Sequence, residues 1–390
     1  MAYIPLSVPN MGEKEKEYAQ DAIATGWVSS VGAYVNRFEE ELSEYVNSKN
    51  AVACQSGTAG LHLSLLALGV ERDDLVIVPT LTFIAAVNPV KYVGAEPVFM
   101  DCDDSLCIDP QKLRSFCIEC CYVENNSLYH KDTNKRIPAI IIVHVFGNMA
   151  DMKSIMEIAE EFHLSVLEDA TESLGSKYIA GKLNGMYSGT IGDVGVYSFN
   201  GNKIITTGGG GMVVTNNEII AKKIKYWSTQ SKDDELFFTH NEIGYNYRMT
   251  NVQAAIGVGQ LEQLERFIKT KKDNFYYYNE LLKNTENIRI LPFDMKIRPN
   301  YWFYTAVINF NALDTSVKKL IDFMQEKKIQ IRPVWKLNHT QKPYIGDIAY
   351  SIDTAYKMEE GVVNLPCSSS LTFDNVEYVC QCLKAFLTKE

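Results

Sequence analysis

Short apolar runs rich in β-branched residues alternate with helix-like stretches over residues 51–215. The pattern predicts strands at Ala51–Gln55, Leu75–Pro79, Pro97–Asp101, Pro138–His144, Ser165–Glu168, Gly195–Phe199 and Met212–Thr215. The stretches between them with helical character are Ala59–Leu68, Phe83–Val93 and Met152–Phe162. Because strands and helices alternate, we expect a mostly parallel sheet covered by helices on both faces. Ligands of such sheets bind beyond the carboxyl ends of the strands.

The pattern changes near residue 250. Met249–Leu282 has apolar residues at helical spacing and predicts one long helix or two joined helices. The elements predicted beyond it are strands at Asn287–Leu291, Tyr301–Phe310 and Ile329–Val334, and helices at Ser316–Lys327 and Asn375–Leu387. We therefore predict a large α/β domain over residues 1–250, whose first 30 residues form an arm and a helix. Residues 251–390 would form the long helix and a smaller α+β domain.

Composition and charge narrow the class of protein. Apolar residues make up 46% of the chain and charged residues 22%, which is typical of a soluble globular protein. No apolar run has the length that crosses a bilayer, and the first ten residues do not resemble a secretory signal, so we expect a cytoplasmic protein. The net charge of −10 argues against nucleic acid as a main partner.

The chain has nine cysteines, and this odd number favours free thiols. Cys117, Cys120 and Cys121 include a C-x-x-C spacing that suits zinc. No second C-x-x-C pair follows at the spacing of a zinc finger, so we predict no metal site. The polar segment from Cys117 to Arg136 is predicted to be an irregular surface insertion.

Two segments carry candidate chemistry. Lys203 lies between Ser198 and the run Gly208–Gly211, and Asp169 lies at the end of an apolar strand. A lysine amine forms a Schiff base with pyridoxal phosphate (PLP), and a carboxylate keeps the pyridine nitrogen of PLP protonated. Each residue alone is also compatible with an ordinary role, as a solvated lysine or a capping aspartate.

Two further segments are ambiguous when taken singly. Ser56-Gly57-Thr58 follows a predicted strand and begins a predicted helix, so it suits either a phosphate seat or a plain helix cap. Phe83 suits stacking on a flat ring or filling the core.

The motifs become specific in combination. The five motifs are Ser56-Gly-Thr-Ala, Thr82-Phe-Ile-Ala, Glu168-Asp-Ala, Ser198-x4-Lys203-x4-Gly-Gly-Gly-Gly and Gly244-Tyr-Asn-Tyr-Arg-Met-Thr-Asn-Val-Gln-Ala-Ala. Together they resemble the DegT/DnrJ/StrS family of sugar aminotransferases, and the resemblance covers nearly the whole chain. One departure is Gly208–Gly211, where the family commonly has Gly-Glu-Gly-Gly. The resemblance implies an aspartate-aminotransferase-like fold (fold type I of PLP enzymes), with the cofactor in the large domain.

The resemblance also implies roles for individual residues. Lys203 would form the Schiff base. The cofactor-binding residues would be Gly57, Thr58 and Ser198 at the phosphate, Phe83 on the ring face, Asp169 at the pyridine nitrogen, Glu172 near the ring hydroxyl, and Asn246 reaching the phosphate of the neighbouring subunit. A homodimer with shared active sites is therefore expected. The loop that holds Trp27, Ser29 and Ser30 is expected to contact the sugar nucleotide.

The implied reaction moves an amino group from glutamate, through PLP and its aminated form PMP, to C4 of a nucleotide-linked 4-keto-6-deoxy sugar. Glu168–Ser176 and His240–Tyr247 favour the legionaminic acid type, which aminates a UDP- or GDP-linked 2-acetamido-4-keto-2,6-dideoxyhexose for surface glycans. The alternatives are a GDP-perosamine synthase and a non-catalytic PLP-binding regulator. A related dehydratase would have histidine in place of Lys203, and a dinucleotide oxidoreductase would need G-x-G-x-x-G after the first strand.

Overall fold

The computed structural model describes residues 2–234 and 236–388. The strands in this part of the chain are β1 Asn50–Cys54, β2 Leu75–Pro79, β3 Glu96–Met100, β4 Cys121–Glu124, β5 Ser127–His130, β6 Arg136–Ile137, β7 Ala139–Val143, β8 Ser165–Asp169, β9 Lys177–Tyr178, β10 Val194–Ser198, β11 Gly211–Thr215, β12 Ile288–Ile290, β13 Ile297–Arg298, β14 Tyr304–Ile308, β15 Arg332–Pro333, β16 Ile348–Tyr350 and β17 Val362–Leu365.

Helices cover both faces of the large sheet and extend into the C-terminal part. The α-helices are α1 Glu13–Ala24, α2 Ala33–Val46, α3 Gly57–Ala67, α4 Asn88–Tyr92, α5 Pro110–Cys120, α6 Met152–Phe162, α7 Glu218–Ser228, α8 Asn251–Leu261, α9 Leu264–Leu282, α10 Val317–Glu326, α11 Thr354–Gly361 and α12 Phe373–Thr388. Short 3₁₀ turns lie at Ile84–Ala86, Val145–Gly147, Asn338–Thr340 and Lys342–Tyr344.

The large sheet has the strand order β1-β11-β10-β8-β7-β2-β3-β16. Adjacent strands are parallel except in the two pairs that contain β11. Every residue of β2, β7 and β11 is buried, as expected for strands covered on both faces. The mostly parallel α/β sheet is therefore confirmed, and each of the seven strands predicted for residues 51–215 is present to within one residue at either end.

The predicted helix-like stretch Phe83–Val93 is divided into two pieces in the structure. The structure has a 3₁₀ turn at Ile84–Ala86, and α4 begins separately at Asn88. Pro89 lies in the first turn of α4. Proline has no N–H to donate to a preceding turn, so a helix begins there more easily than it continues through.

The stretch Met249–Leu282 forms two helices, α8 and α9, and so confirms the prediction in its two-helix form. Thr250 caps α8, since its hydroxyl accepts a hydrogen bond from the N–H of Gln253. The capping box places the start of α8 one residue after Thr250.

The C-terminal part contains a separate antiparallel sheet with the order β12-β14-β17-β15. The predicted strand Tyr301–Phe310 is shorter, because Tyr301 has a positive φ of 57° and the strand begins only at Tyr304. The large sheet also receives a strand from this part of the chain, since β16 pairs in parallel with β3. The division into two domains at residue 250 stays a prediction.

The segment after α5 is ordered, and its prediction as an irregular insertion was wrong. It forms a three-stranded antiparallel sheet, β4-β5-β6, in which Leu128 and His130 are buried and the rings of Tyr122 and Tyr129 stack. Lys131 holds this sheet against α5, since its amine donates to the carbonyls of Ile118 and Glu119. In β5 buried residues alternate with half-buried ones, and the polar composition of the segment did not indicate this alternation.

Residues 2–234 and 236–388 were expected to contain neither a membrane span nor a metal site. No helix there is long and apolar enough to cross a membrane. In the same ranges, no group of three or more histidine, cysteine, aspartate or glutamate side chains is arranged to hold a metal ion.

Candidate active site

A cavity of about 340 Å³ lies where the carboxyl ends of β1, β8 and β10 meet. In the order β1-β11-β10-β8, the strand β11 runs antiparallel to both of its neighbours. The strands β1, β10 and β8 therefore run in the same direction, and their carboxyl ends lie at the same edge of the sheet. The predicted residues that line the cavity are Gly57, Thr58, Phe83, Asp169, Glu172, Ser198 and Lys203. Residues far apart in the chain thus form one site, and the individual roles assigned to them stay predictions.

One end of the cavity is the N-terminus of α3. Ser56 is the cap of this helix, since its hydroxyl accepts from the N–H of Ala59 at 3.1 Å. Gly57 brings the backbone close to its neighbours: a Cβ there would lie 2.9 Å from Cγ2 of Thr171 and 3.1 Å from Cβ of Ser198. Free N–H groups and the positive end of the helix dipole make this cradle a seat for an anion.

Asp169 provides a buried carboxylate at the end of β8. Its side chain accepts a hydrogen bond from the N–H of Thr171 at 3.1 Å. Burial raises the pKa of the Asp169 carboxyl, while the bonds to Thr171 and the charge of Lys203 oppose this shift. A cationic ring nitrogen beside Asp169 would favour the ionised carboxylate.

A buried pair of side chains, His144 and Glu168, lies next to Asp169. His144 and Glu168 are fully buried, and Nε2 of His144 lies 2.8 Å from Oε2 of Glu168. Nδ1 of His144 accepts from the N–H of Ala150, so Nε2 carries the proton and donates to Glu168. The backbone N–H of His144 also donates to the carbonyl of Asp169, which ties β7 to the end of β8. Sequence reasoning assigned His144 no role.

Lys203 lies in the loop between β10 and β11, and its side chain is only 13% exposed. Its amine is 3.7 Å from Oε1 of Glu172. Burial lowers the pKa of the Lys203 ammonium, and the carboxylates of Glu172 and Asp169 oppose this shift. A lowered pKa makes more of the neutral amine available, and the neutral amine is the form that acts as nucleophile and base.

Glu172 is held in place by a hydrogen bond from the backbone. Its Oε2 accepts from the N–H of Phe146 at 2.8 Å. Burial raises the pKa of Glu172 to about 7, although the charge of Lys203 opposes the shift. Near neutral pH the side chain beside the amine is therefore neither fully protonated nor fully ionised.

Aromatic residues from the C-terminal part complete the cavity, and sequence reasoning missed them. Trp302, Phe303 and Trp335 line it, and the Lys203 amine lies 4.2 Å from the Trp302 ring centroid. The signal in the sequence was the aromatic run from Tyr301 to Tyr304, which was interpreted as part of a strand. Phe83 lies on the same side, 52% exposed and 6.4 Å from Trp335 between ring centroids.

The remaining predicted residues do not line this cavity within one chain. Asn246 is exposed, and so are Trp27 and Ser29, while Ser30 is half-buried. Asn251 at the start of α8 holds the Trp27 loop, since its side chain donates to the Trp27 carbonyl and its N–H to the Ser29 carbonyl. The Trp27 loop and Asn246 therefore both lie near the beginning of α8, and their roles stay predictions.

These residues fit PLP, which joins an anionic phosphate to an aromatic ring with a basic nitrogen and an aldehyde. The α3 cradle and Ser198 would hold the phosphate, Asp169 the ring nitrogen, and Lys203 the aldehyde carbon. The tight approach around Gly57 and the buried carboxylate of Asp169 are the observations that carry this fit.

Comparisons with known proteins agree with this geometry. A GDP-perosamine synthase of Escherichia coli O157:H7 is 36% identical over 386 residues, which cover 99% of each chain. A UDP-4-amino-4,6-dideoxy-N-acetyl-beta-L-altrosamine transaminase of Campylobacter jejuni is 29% identical over 379 residues, which cover 95% of this chain and 93% of the other.

The fold is that of solved sugar aminotransferases. The structure of the putative sugar aminotransferase Spr1654 from Streptococcus pneumoniae in its PLP form matches with a TM-score of 0.86, 22% identity and 99% coverage of both chains. A sequence model of the DegT/DnrJ/EryC1/StrS aminotransferase family matches residues 9–384. The chain therefore belongs to the DegT/DnrJ/EryC1/StrS aminotransferase family and is a PLP-dependent sugar aminotransferase.

Proposed function

We propose that the protein transfers an amino group from glutamate to C4 of a nucleotide-linked 2-acetamido-4-keto-2,6-dideoxyhexose. The observation that carries this proposal is the shielded Lys203 amine 3.7 Å from Glu172, in one cavity with the buried carboxylate of Asp169 and the α3 N-terminus. Such a site suits reversible proton transfer next to a bound cofactor phosphate.

Each residue has a defined task in this scheme. PLP, when bound, supplies an electron sink that stabilises negative charge on a neighbouring carbon. Lys203 accepts the α-proton of glutamate, which gives up its amino group, takes its new carbonyl oxygen from water and leaves as 2-oxoglutarate. In the second half of the reaction C4 of the sugar gains the amino group, its ketone oxygen leaves as water, and Lys203 delivers a proton to C4. Glu172 lies 3.7 Å from the Lys203 amine, and the charge of its carboxylate stabilises the ammonium form.

Two observations bear on the substituent at C2. The segments Glu168–Ser176 and His240–Tyr247 resemble the legionaminic acid type and support an acetamido group. The GDP-perosamine synthase at 36% identity supports the second candidate, a GDP-linked sugar with a C2 hydroxyl. The two candidates share the C4 ketone and the C6 methyl, so they use the same amine chemistry.

A substrate panel decides between them. The enzyme, glutamate and UDP- or GDP-linked 4-keto-6-deoxy sugars with either C2 substituent are incubated, and the products are identified by mass spectrometry. We expect kcat/KM for the 2-acetamido sugar to be about 10-fold or more above that for the 2-hydroxy sugar, because a site that hydrogen-bonds the amide loses those bonds with a hydroxyl. The reverse order would identify the protein as a GDP-perosamine synthase.

We also propose that the active unit is a homodimer in which Asn246 reaches the cofactor phosphate of the neighbouring subunit. Asn246 is exposed and lies away from the cavity of its own chain. Large apolar side chains near it in sequence are exposed, among them Phe237 and Ile243. Exposed apolar surface of this kind is typical of a subunit interface.

Subunit mixing tests the shared site. Lys203→Ala and Asn246→Ala chains are each expected to be inactive, but a heterodimer of the two has one site with both residues intact. Equal mixing should therefore recover about one quarter of the wild-type activity. A mixture of Lys203→Ala with Asp169→Asn is the matched control and should recover almost none, since both residues line the same cavity of one chain. Equal behaviour of the two mixtures after demonstrated exchange would contradict the shared site.

A further inference from the structure

The cavity has a polar side and an aromatic side. Within the described part of the chain, its charged lining residues are Asp169, Glu172 and Lys203. The side beyond Lys203 is formed by the aromatic wall, which we define as Trp302, Phe303 and Trp335. Phe146 backs this wall, with its ring centroid 4.6 Å from that of Trp335 and 5.4 Å from that of Phe303.

Trp302 is fixed in the wall from several directions. Its indole N–H donates to the Asn202 carbonyl at 2.7 Å, and its backbone N–H donates to Oδ1 of Asn300 at 2.8 Å. Its ring stacks on Phe303 with 3.9 Å between centroids and an interplanar angle of 15°. The orientation of the indole face is therefore set before any substrate binds.

A buried lysine anchors the same segment from behind. Lys271 of α9 is almost completely buried, and its amine donates to the carbonyls of Trp302, at 3.1 Å, and Cys367. Burying an ammonium is unfavourable unless its donors are satisfied. The position of Trp302 is thus coupled to the packing of α9 and is not set by a flexible loop.

The reaction fixes which part of the sugar meets this wall. C4 must lie beside the Lys203 amine, and that amine lies 4.2 Å from the Trp302 ring centroid. C6 is two bonds from C4, so it also lies within reach of the aromatic wall. The polar substituents of the sugar have partners elsewhere in the cavity, where Thr82 and Asn200 line it.

We propose that the aromatic wall determines specificity for the C6 methyl group of the substrate. The proposal rests on the proposed function, because it needs a sugar whose C4 lies at Lys203. A methyl group packs on the aromatic faces that line the cavity, above all on the half-buried indole of Trp335, without losing hydrogen bonds. A C6 hydroxyl would be desolvated against these faces, and a C6 carboxylate would be disfavoured more strongly.

Binding of the 4-amino products to the PMP form of the holoenzyme tests the proposal without turnover, because PMP has no aldehyde with which an amine can react. Isothermal titration calorimetry compares two compounds that share nucleotide and C2 substituent, a 4-amino-4,6-dideoxyhexose and the 4-amino-4-deoxyhexose that carries a C6 hydroxyl. The wild-type holoenzyme should bind the methyl compound about 10-fold to 100-fold more tightly. Trp335→Gln should reduce this ratio to within about 3-fold, mainly by weakening the methyl compound, whereas Trp335→Phe should keep most of it.

Controls separate the wall from general damage. Phe323→Leu removes an aromatic ring that packs on Phe386 in the C-terminal part and does not line the cavity, so it should leave the ratio unchanged. The cofactor absorbance of each variant reports an intact site. Should Trp335→Gln fail to fold, Trp302→Phe and Trp302→Gln provide the same comparison at the neighbouring ring.

The outcomes distinguish this inference from the proposed function. If the wild type aminates 4-keto sugars but binds both compounds equally, or if the ratio survives the glutamine variants, the inference is wrong and the proposed function stands. If no nucleotide sugar binds or is aminated while the glutamate half-reaction proceeds, the proposed function fails, and the inference fails with it.

Discussion

Replacing Lys203 with alanine is expected to lower turnover by about 1,000-fold or more. The variant loses both the nucleophile that attaches the cofactor and the base that moves the proton, and a positioned base alone contributes about 100-fold to 10,000-fold. The amine is shielded beside Glu172, and burial lowers its pKa, so no solvated lysine replaces it in kind. Steady-state kinetics with glutamate and the preferred 4-keto sugar measure the loss.

Covalent labelling tests the same assignment independently of activity. Borohydride reduction of the wild-type holoenzyme should leave the mass of the cofactor on the peptide that contains Lys203. Lys222→Ala is the matched control, because Lys222 lies on the surface of α7 and pairs with Glu218. The control should keep full activity and the same labelled peptide. Label on any other lysine, or substantial turnover by Lys203→Ala, would show that Lys203 is not the attachment site.

Sequence reasoning was strongest where the signal is local. The strands of the large sheet are continuous apolar runs, and β7, Ala139–Val143, is buried along its whole length. Asp169 ends β8 and Lys203 lies in the loop after β10, and the parallel pairing of these two strands brings both residues to the cavity, as the sequence pattern predicted; their roles stay predictions. The helix cap predicted at Ser56 is present for the same reason, since a helix cap is encoded within a few residues.

Sequence reasoning failed where distant packing decides the structure. Trp302 reaches the cavity because Lys271, some thirty residues earlier in the chain, holds its carbonyl. Periodicity does not encode such a contact, and the aromatic run around Tyr301 suits a strand equally well. Asn246 and the loop around Trp27 lie on the exposed surface within one chain, so their roles stay predictions that depend on the proposed dimer.

Asp169→Asn is expected to keep the fold and the cofactor but to slow both half-reactions by about 100-fold. Asparagine preserves the shape of the side chain and its contact with Thr171, but it has no charge with which to keep the ring nitrogen protonated. A neighbouring opposite charge shifts a pKa by about 1–3 units, so the ring nitrogen would lose its proton near neutral pH. Single-turnover absorbance measurements follow the glutamate and sugar half-reactions separately.

The matched control for this variant is Asp193→Asn, because Asp193 also contacts β8 through a carboxylate oxygen, 2.7 Å from the N–H of Val166, but away from the cavity. It should change either half-reaction by less than about 3-fold, since it alters packing at the far end of the strand and leaves the charge in the cavity intact. Slowing of the sugar half-reaction alone in Asp169→Asn would mean that the carboxylate contacts the sugar. Equal slowing of both half-reactions, together with an altered cofactor spectrum, would show that Asp169 acts on the cofactor, because the cofactor is the component that both half-reactions use.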